Sequence, residues 1–227
     1  MPRPPARGRE ALHSYTRPPD APAIDLMEYA PGTSPFHTKG ILFLGTESFF
    51  AQASSAGMGA VYAQIADPVL LAFIQQKFLA GSWYDALPVA PLIRAEARAL
   101  KMTTEDYLRV RTEWQAKSDF NGIYRAILKL TTPKSIVDRL PKIVQRYYDF
   151  GEMSVLEEDT RRLKITCDGM PAVLGFWLST IFGIYARSVI GFSGAPLPAA
   201  RTSGLRPAGS KHGIDLVRFD FELSWGA

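Results

Sequence analysis

Residues 145–167 have the sequence QRYYDFGEMSVLEEDTRRLKITC, and the spacing of the hydrophobic residues changes within this stretch. Up to Tyr148 the spacing is helical. After Gly151 hydrophobic and polar residues alternate on both sides of EEDT, which predicts a β-hairpin. Gly151 can adopt a positive φ without steric cost, as a reversal of the chain often requires. The stretch therefore predicts a joint at which a helix ends and a sheet begins.

Helical patterns dominate before this joint, and strand patterns dominate after it. The run TKGILFLG, residues 38–45, predicts one short strand, and most of the chain from there to the joint has helical spacing. Beyond the hairpin, residues 171–190 predict a long apolar helix, and residues 216–225 alternate as a half-buried strand does. This order predicts an α+β fold, in which a helical N-terminal half is followed by a small antiparallel sheet packed on a long apolar helix.

Composition divides the chain of 227 residues into an arm and one domain. Residues 1–35 contain eight prolines and little periodicity, so they predict a disordered or extended arm. Residues 36–227 predict a single α+β domain. Within that domain, residues 194–212 are rich in Gly, Pro and Ser, which predicts a flexible loop.

Charge and cysteine content restrict the partners and the location. The net charge is +4 without a concentrated basic stripe, so no nucleic-acid partner is expected. The single cysteine and the lack of a hydrophobic signal segment predict a cytoplasmic protein. Residues 169–185 carry no charge, but 17 residues are short for a membrane span. A buried core helix is therefore favoured over a membrane-spanning helix.

No motif in the chain identifies a reaction. The three histidines are His13, His37 and His212, and none lies in a context typical of a nucleophile or a metal cluster. Cys167 is interpreted as a small buried residue rather than as a nucleophile. The sequence therefore predicts no catalytic residue, no metal site and no cofactor, and it favours a non-enzymatic protein over an enzyme.

Four short motifs occur in an order that resembles a known family. They are WYDALP at residues 83–88, FNGIYRAILKL at 120–130, RYYDFGEMSV at 146–155 and FDFELSW at 219–225. Together they resemble a paralogous family abundant in myxobacteria, related to the 4-vinyl reductase domain and more distantly to Bet3-like vesicle-tethering subunits. The resemblance covers residues 39–225.

This resemblance implies an α+β fold, often dimeric, with an apolar cavity that its better-known relatives use to sense aromatic compounds. The ligand-sensing relatives carry cysteines near the last helix and the final strand, and these cysteines bind zinc. The matching residues 209–225 contain no cysteine here, and His212 is the only potential ligand among them. The resemblance therefore does not extend to a zinc site.

Aromatic side chains are the candidate ligand contacts. They are predicted to line a cavity for a hydrophobic ligand, with residues 197–212 as a mobile flap over it. The predicted ligand-binding residues are Trp83, Tyr84, Trp114, Tyr124, Tyr148, Trp177, Phe182 and Tyr185. The alternative is that these side chains fill an ordinary core. For Tyr147 and Tyr148, of which only one is expected to face inward, a structural joint is favoured over ligand contact.

Two functions from different classes remain open. The first is a sensor or adaptor domain that binds a small hydrophobic or aromatic molecule without catalysis. The second is a protein-interaction module that forms a homodimer or docks a protein partner without any small ligand. Gly175, Ser179 and Gly183 recur every four residues and give the long helix one smooth face on which such a partner could pack.

Overall fold

The computed structural model of the chain describes residues 28–119, 135–136, 139–159 and 161–226. Within these ranges the chain forms two compact units. The first unit contains the described residues up to Tyr107 together with Tyr147–Asp149. The second unit contains the described residues between Leu108 and Arg146 and those from Phe150 onward.

Helices are the main secondary structure of the first unit. Its elements are β1 (His37–Lys39), α1 (Ile41–Ala53), α2 (Met58–Tyr62), α3 (Pro68–Ile74), β2 (Trp83–Asp85), α4 (Val89–Ala99) and the first turn of α5 (Thr104–Asp119). β1 and β2 pair in antiparallel fashion. Phe43 of α1 stacks on Phe78 with 4.2 Å between ring centroids and meets Phe73 edge-on at 5.9 Å. An aromatic cluster therefore forms part of the core of this unit.

The predicted strand at residues 38–45 is wrong for most of its length. β1 ends at Lys39, and α1 begins at Ile41. In α1 the buried residues include Phe43, Phe49 and Phe50, which follow helical spacing. A short apolar run does not distinguish a strand from a buried helix by periodicity, and this ambiguity explains the error.

Asp85, at the end of β2, is a buried acceptor for four hydrogen bonds. Its Oδ2 accepts the backbone N–H groups of Gly32 at 2.9 Å and Ser34 at 3.1 Å. Its Oδ1 accepts the N–H of Leu87 at 3.0 Å and the hydroxyl of Ser34. Burial raises the pKa of Asp85, and the hydrogen bonds oppose that shift. Asp85 therefore fixes residues 32–34 to the end of β2.

Residues 32–34 lie in the segment that the sequence assigned to a disordered or extended arm, and Ser34 is buried. The boundary between an arm at 1–35 and a single domain at 36–227 stays a prediction, because residues 1–27 lie outside the described residues.

The second unit contains the main sheet. It contains the rest of α5, and it contains α6 (Leu140–Tyr147) up to Arg146. Its other elements are β3 (Glu152–Asp159), β4 (Arg162–Pro171), α7 (Ala172–Phe192), β5 (Ala199–Thr202), β6 (Arg206–Lys211) and β7 (Ile214–Ser224). The strand order is β3-β4-β7-β5, and β6 also pairs with β7. Every pairing is antiparallel, and α7 lies against β7, β5 and β4. The predicted α+β fold is confirmed.

The two faces of this sheet differ in polarity. Ile165 and Cys167 of β4 lie opposite Phe221 and Phe219 of β7, and all four side chains are buried. Cross-strand ion pairs occupy the other face, as expected for an antiparallel sheet with one solvated side. These pairs are Arg162–Glu222 and Arg206–Asp220, each at 2.7 Å, and Arg218–Asp168.

Helix α7 is the predicted long apolar helix. Among the described residues it is the one helix long and apolar enough to cross a membrane by length and composition. Half of its most apolar stretch of 18 residues is buried inside the protein. A core helix meets the same criterion, and the contacts of α7 with the sheet are those of a core helix.

Residues 194–212 contain two strands, so the predicted loop is wrong over most of its length. Residues 199–202 of β5 pair with Phe221–Ser224 of β7. Strand β6 returns to β7 through a tight turn in which His212 has φ 55° and Gly213 has φ 80°. Two successive positive φ values are typical of the two-residue hairpin turn. The long β7 supplies hydrogen-bond partners to segments whose own composition is poor in strand-forming residues.

Gly151 has a φ of 68° where α6 gives way to β3, as the sequence predicted. A Cβ atom at this position would lie 2.5 Å from Sδ of Met170 and 3.2 Å from the carbonyl oxygen of Asp168. The joint therefore depends on glycine for two reasons. The backbone has a positive φ there, and β4 leaves no space for a side chain.

We expect Gly151→Val to be strongly destabilising, because a β-branched residue is an outlier at positive φ and its side chain would overlap Met170. Gly209→Val is the matched control, since Gly209 has φ 90° but nothing within 4 Å of its Cβ position. Chemical denaturation of both variants separates strain from overlap. Equal losses of unfolding free energy would show that the space beside Met170 does not matter.

We also expect Asp85→Asn to lower the free energy of unfolding by about 1–3 kcal/mol, because the amide nitrogen cannot accept hydrogen bonds and leaves buried donors unpaired. Asp67→Asn is the control. Asp67 caps α3 by accepting the N–H groups of Val69 and Leu70 at one oxygen, Oδ1, and asparagine caps helices about as well as aspartate. Urea titrations that give the two variants the same stability would contradict the role assigned to Asp85.

Candidate functional site

The predicted ligand-binding aromatic residues do not all belong to one compact unit. Trp83, Tyr84 and Tyr148 belong to the first unit, and Trp114, Trp177, Phe182 and Tyr185 belong to the second. Tyr124 lies outside the described residues. Their role as ligand contacts stays a prediction.

Trp83 and Tyr84 have partners within the first unit. The Lys39 ammonium lies 3.7 Å from the centroid of the Trp83 ring and donates a hydrogen bond to the carbonyl of Gly81 at 2.8 Å. The Tyr84 hydroxyl accepts the N–H of Leu79 at 2.9 Å, and its ring meets Phe78 edge-on at 4.8 Å. The half-buried Tyr84 therefore closes the turn before β2 and packs beside the aromatic cluster of this unit.

Tyr148 lies at a joint in the first unit. It is buried while its neighbour Tyr147 is exposed, as expected when only one of the two faces inward. Burial raises the pKa of Tyr148 well above its ordinary value. Asp149, the next residue, accepts the backbone N–H of His37 at 2.7 Å and lies 2.8 Å from the His37 Nδ1. These contacts support the interpretation of Tyr148 as part of a structural joint.

In the second unit, α7 carries three of the predicted residues. Trp177 is 9% exposed, which makes it a buried residue. The Phe182 ring lies 6.3 Å from that of Phe219. The Tyr185 hydroxyl donates a hydrogen bond to Oδ2 of Asp119, on α5, at 2.9 Å. Tyr185 therefore links α7 to α5 rather than presenting a free hydroxyl.

The small-residue face of α7 lies against the protein's own sheet. A Cβ atom at Gly175 would lie 2.8 Å from Cγ2 of Val217, and one at Gly183 would lie 3.2 Å from Oγ1 of Thr202. The same Thr202 hydroxyl donates a hydrogen bond to the carbonyl of Ser179 at 3.4 Å. This face is therefore covered by β7 and β5 and does not form a surface for a second chain.

A cavity of about 300 Å³ opens beside the C-terminal end of α7, in the second unit. Its walls are mostly apolar. The lining residues are Glu113 and Lys117 of α5, Arg187, Ser188, Gly191 and Phe192 of α7, and Pro198. None of the predicted aromatic residues is among them. Sequence reasoning missed this site because its members are far apart in the chain and none belongs to a motif.

Charged side chains lie at the edge of this cavity. Nη2 of Arg187 lies 2.9 Å from Oε1 of Glu113, and both side chains are partly exposed. Lys117 follows Glu113 by one turn of α5, so the two residues share a face of the helix. The cavity therefore has two positive charges and one negative charge on its lining.

Metal-binding chemistry has little support in the part of the chain that the structure describes. No group of three or more His, Cys, Asp or Glu residues there could hold a metal ion. Cys167 is fully buried, and burial raises the pKa of its thiol, so it stays protonated. His212 is exposed in the turn before Gly213.

Comparison with known proteins connects this fold to one group of solved structures. They include the Fe(II) unliganded H-NOX protein from K. algicida, at 12% sequence identity, with a TM-score of 0.54 over 83% of this chain and 97% of that one. The chain shares its fold with H-NOX domains. A single-residue mutant of T. tengcongensis H-NOX matches at 8% identity, with a TM-score of 0.59 over 83% of this chain and 98% of that one. An oxygen-binding H-NOX domain related to soluble guanylate cyclases matches at 8% identity, with a TM-score of 0.58 over 83% and 95% of the two chains.

These identities establish a shared fold and nothing more. No protein-family model matches the chain, and no curated protein matches it. The resemblance to the myxobacterial paralogous family, the 4-vinyl reductase domain and the Bet3-like subunits is wrong, because the similar solved structures are H-NOX domains. Two of its motifs mark structural necessities, the Asp85 acceptor in WYDALP and the Gly151 joint in RYYDFGEMSV.

We expect Trp177→Ala to lower the free energy of unfolding by about 3–5 kcal/mol, as buried large aromatic truncations do. Phe176→Ala on the same helix should have a much smaller effect, because Phe176 is 48% exposed. Thermal and urea unfolding of the two variants measure the difference. A small loss at Trp177 would mean that its surroundings tolerate empty space, as they would if the ring lined a ligand cavity.

Proposed function

We propose that this protein is a non-enzymatic sensor or adaptor domain that binds a small hydrophobic or aromatic molecule in an apolar cavity. The observation that carries the proposal is the fold, which matches 95–98% of four H-NOX structures. The names of those structures describe an oxygen-binding domain, an unliganded Fe(II) form and the redox potential of a heme. A small-molecule binding role is therefore the function that this fold supports best, although fold alone does not specify a ligand.

Cys167, Tyr148 and His212 do not fit heme as donor groups. Heme iron is held by histidine, cysteine thiolate, methionine or tyrosine. Cys167 is a buried thiol, and Tyr148 is a buried phenol whose pKa is raised, so neither provides an anion. His212 projects from an exposed turn. Among the described histidines, the remaining candidate is His37.

His37 has a carboxylate partner of the kind that orients metal-binding histidines, since its Nδ1 lies 2.8 Å from Oδ2 of Asp149. The surroundings differ from those a porphyrin requires. Lys39 shares the half-buried face of β1 with His37, and the partner of His37 in register on β2 is Asp85. Charged residues in these positions do not make an apolar slot. We infer that the ligand is an organic molecule rather than heme.

The location and the assembly are part of the same proposal. The single cysteine, Cys167, is a buried free thiol, which fits a reducing compartment and therefore the cytoplasm. A protein partner, or the second copy in a homodimer, would respond to ligand binding and so transmit the signal.

An interaction module is the second candidate, and exposed apolar side chains on α7 and beside β6 favour it. Val173, Phe176 and Leu205 are exposed by 37%, 48% and 41%. The side chain of Leu205 lies 3.0 Å from the Cβ position of Gly175 on α7, the helix that carries Val173 and Phe176. Clustered exposed apolar groups often mark protein-interaction sites.

We expect native mass spectrometry of the freshly purified protein to show a bound organic mass, or a library of small aromatic and aliphatic compounds to raise its melting temperature. A ligand at about a hundred times its Kd adds roughly 2.7 kcal/mol to the free energy of unfolding. The opposite result would be no bound mass and no response to the library, together with a dimer that Phe176→Ser dissociates in analytical ultracentrifugation. That result would favour the interaction module over the sensor.

Hemin addition is the control for ligand type. Wild type and His37→Ala should give the same absorption spectrum with added hemin, because His37 is not expected to act as an axial ligand. A histidine-ligated spectrum in wild type that His37→Ala abolishes would show that the ligand is heme.

A further inference from the structure

We propose that the cavity beside the C-terminal end of α7 binds a small organic acid, with a carboxylate at Arg187 and Lys117 and an aromatic or aliphatic body against Phe192 and Pro198. The proposal rests on the proposed function, since it names the ligand class of a small-molecule binding domain. It differs from the sequence-based prediction, because the lining includes none of the aromatic residues that the sequence singled out.

The inner wall of the cavity is apolar. Phe192, at the end of α7, and Pro198 contribute two of its surfaces. A Cβ atom at Gly191 would lie 3.1 Å from Cγ of Pro198, so the glycine lets the Pro198 ring come close to the helix. A volume of about 300 Å³ is at the small end of ligand pockets. The body of the ligand is therefore a single ring or a short chain.

Arg187 is positioned to bind an anion at the edge. Glu113 holds the guanidinium through Nη2 at 2.9 Å, and a guanidinium carries five N–H donors in a planar fork. One contact with Glu113 leaves donors on the guanidinium for a second carboxylate. Glu113 thus acts as a positioning residue, and the side chain of Arg187 is the direct contact.

Lys117 supplies the second positive charge. It is exposed on α5, and within the described residues no carboxylate forms an ion pair with it. Arg187 and Lys117 together exceed the single negative charge of Glu113, so the cavity attracts an anion rather than a cation or a neutral molecule. An apolar wall next to a cationic edge matches an amphipathic acid better than inorganic phosphate, which has no apolar part.

The test is a matched panel of acids and alcohols. The acids are phenylacetate, 4-phenylbutyrate, hexanoate and decanoate, and each is paired with the corresponding alcohol. Affinities for the whole protein are measured by isothermal titration calorimetry and thermal shift at low and at high salt. We expect at least one acid to bind more tightly than its alcohol, with an advantage that shrinks as salt screens the charges.

Variants of the lining residues test whether the tighter binding of the acid than of the alcohol arises in the cavity. Arg187→Gln and Lys117→Gln should each weaken the acid by roughly tenfold to a hundredfold, the range for a lost hydrogen bond to a charged group, and leave the alcohol unchanged. Arg161→Gln and Lys211→Gln remove exposed cations elsewhere in the second unit and should change neither affinity. Gly191→Leu should weaken both compounds, because its side chain would crowd the apolar wall.

Two results would overturn this inference while leaving the proposed function intact. One is equal binding of acid and alcohol. The other is binding of an acid that Arg187→Gln, Lys117→Gln and Gly191→Leu do not affect. If no compound of the panel or of the wider library binds and no organic mass copurifies, the proposed function itself fails.

Discussion

The close approach of α7 to its own sheet organises the second unit. Gly175 has no side chain, and its Cα can lie against Val217 of β7 where any Cβ atom would overlap. Close packing of this kind maximises dispersion contacts along the helix. Because this face is turned to the strands, the C-terminal end of α7 presents Arg187 to Glu113 of α5. The cavity lies where these two helices meet Pro198.

The features of this fold that could be predicted depend on residues close together in the sequence. The features that could not be predicted depend on residues far apart in the sequence. The glycine at position 151 and the apolar period of α7 are local signals, and both predictions hold. Strand β5 depends on hydrogen bonds from β7, about twenty residues away, so its own composition suggested a loop. The cavity is harder still, because Glu113 and Arg187 are 74 residues apart. Only the packing of α5 with α7 brings their charges together.

A shared fold does not specify the chemistry of a ligand. The H-NOX domains to which this chain is similar include structures named for heme and oxygen. Among the described residues, burial keeps the Cys167 thiol and the Tyr148 phenol protonated. Backbone topology provides a place for a ligand, whereas side chains decide which ligand is stable there. Cationic side chains around an apolar wall favour an organic anion.

Residues Tyr147–Asp149 belong to the first unit, although the chain on either side of them belongs to the second. Asp149 accepts the N–H of His37, which comes 112 residues earlier. During synthesis, β1 therefore leaves the ribosome well before this partner exists. At about 5–20 residues per second the wait is roughly 6–22 s. A nascent chain that stalls within this interval carries an unfinished first unit, and chaperones that recognise exposed apolar segments would act on it at that stage.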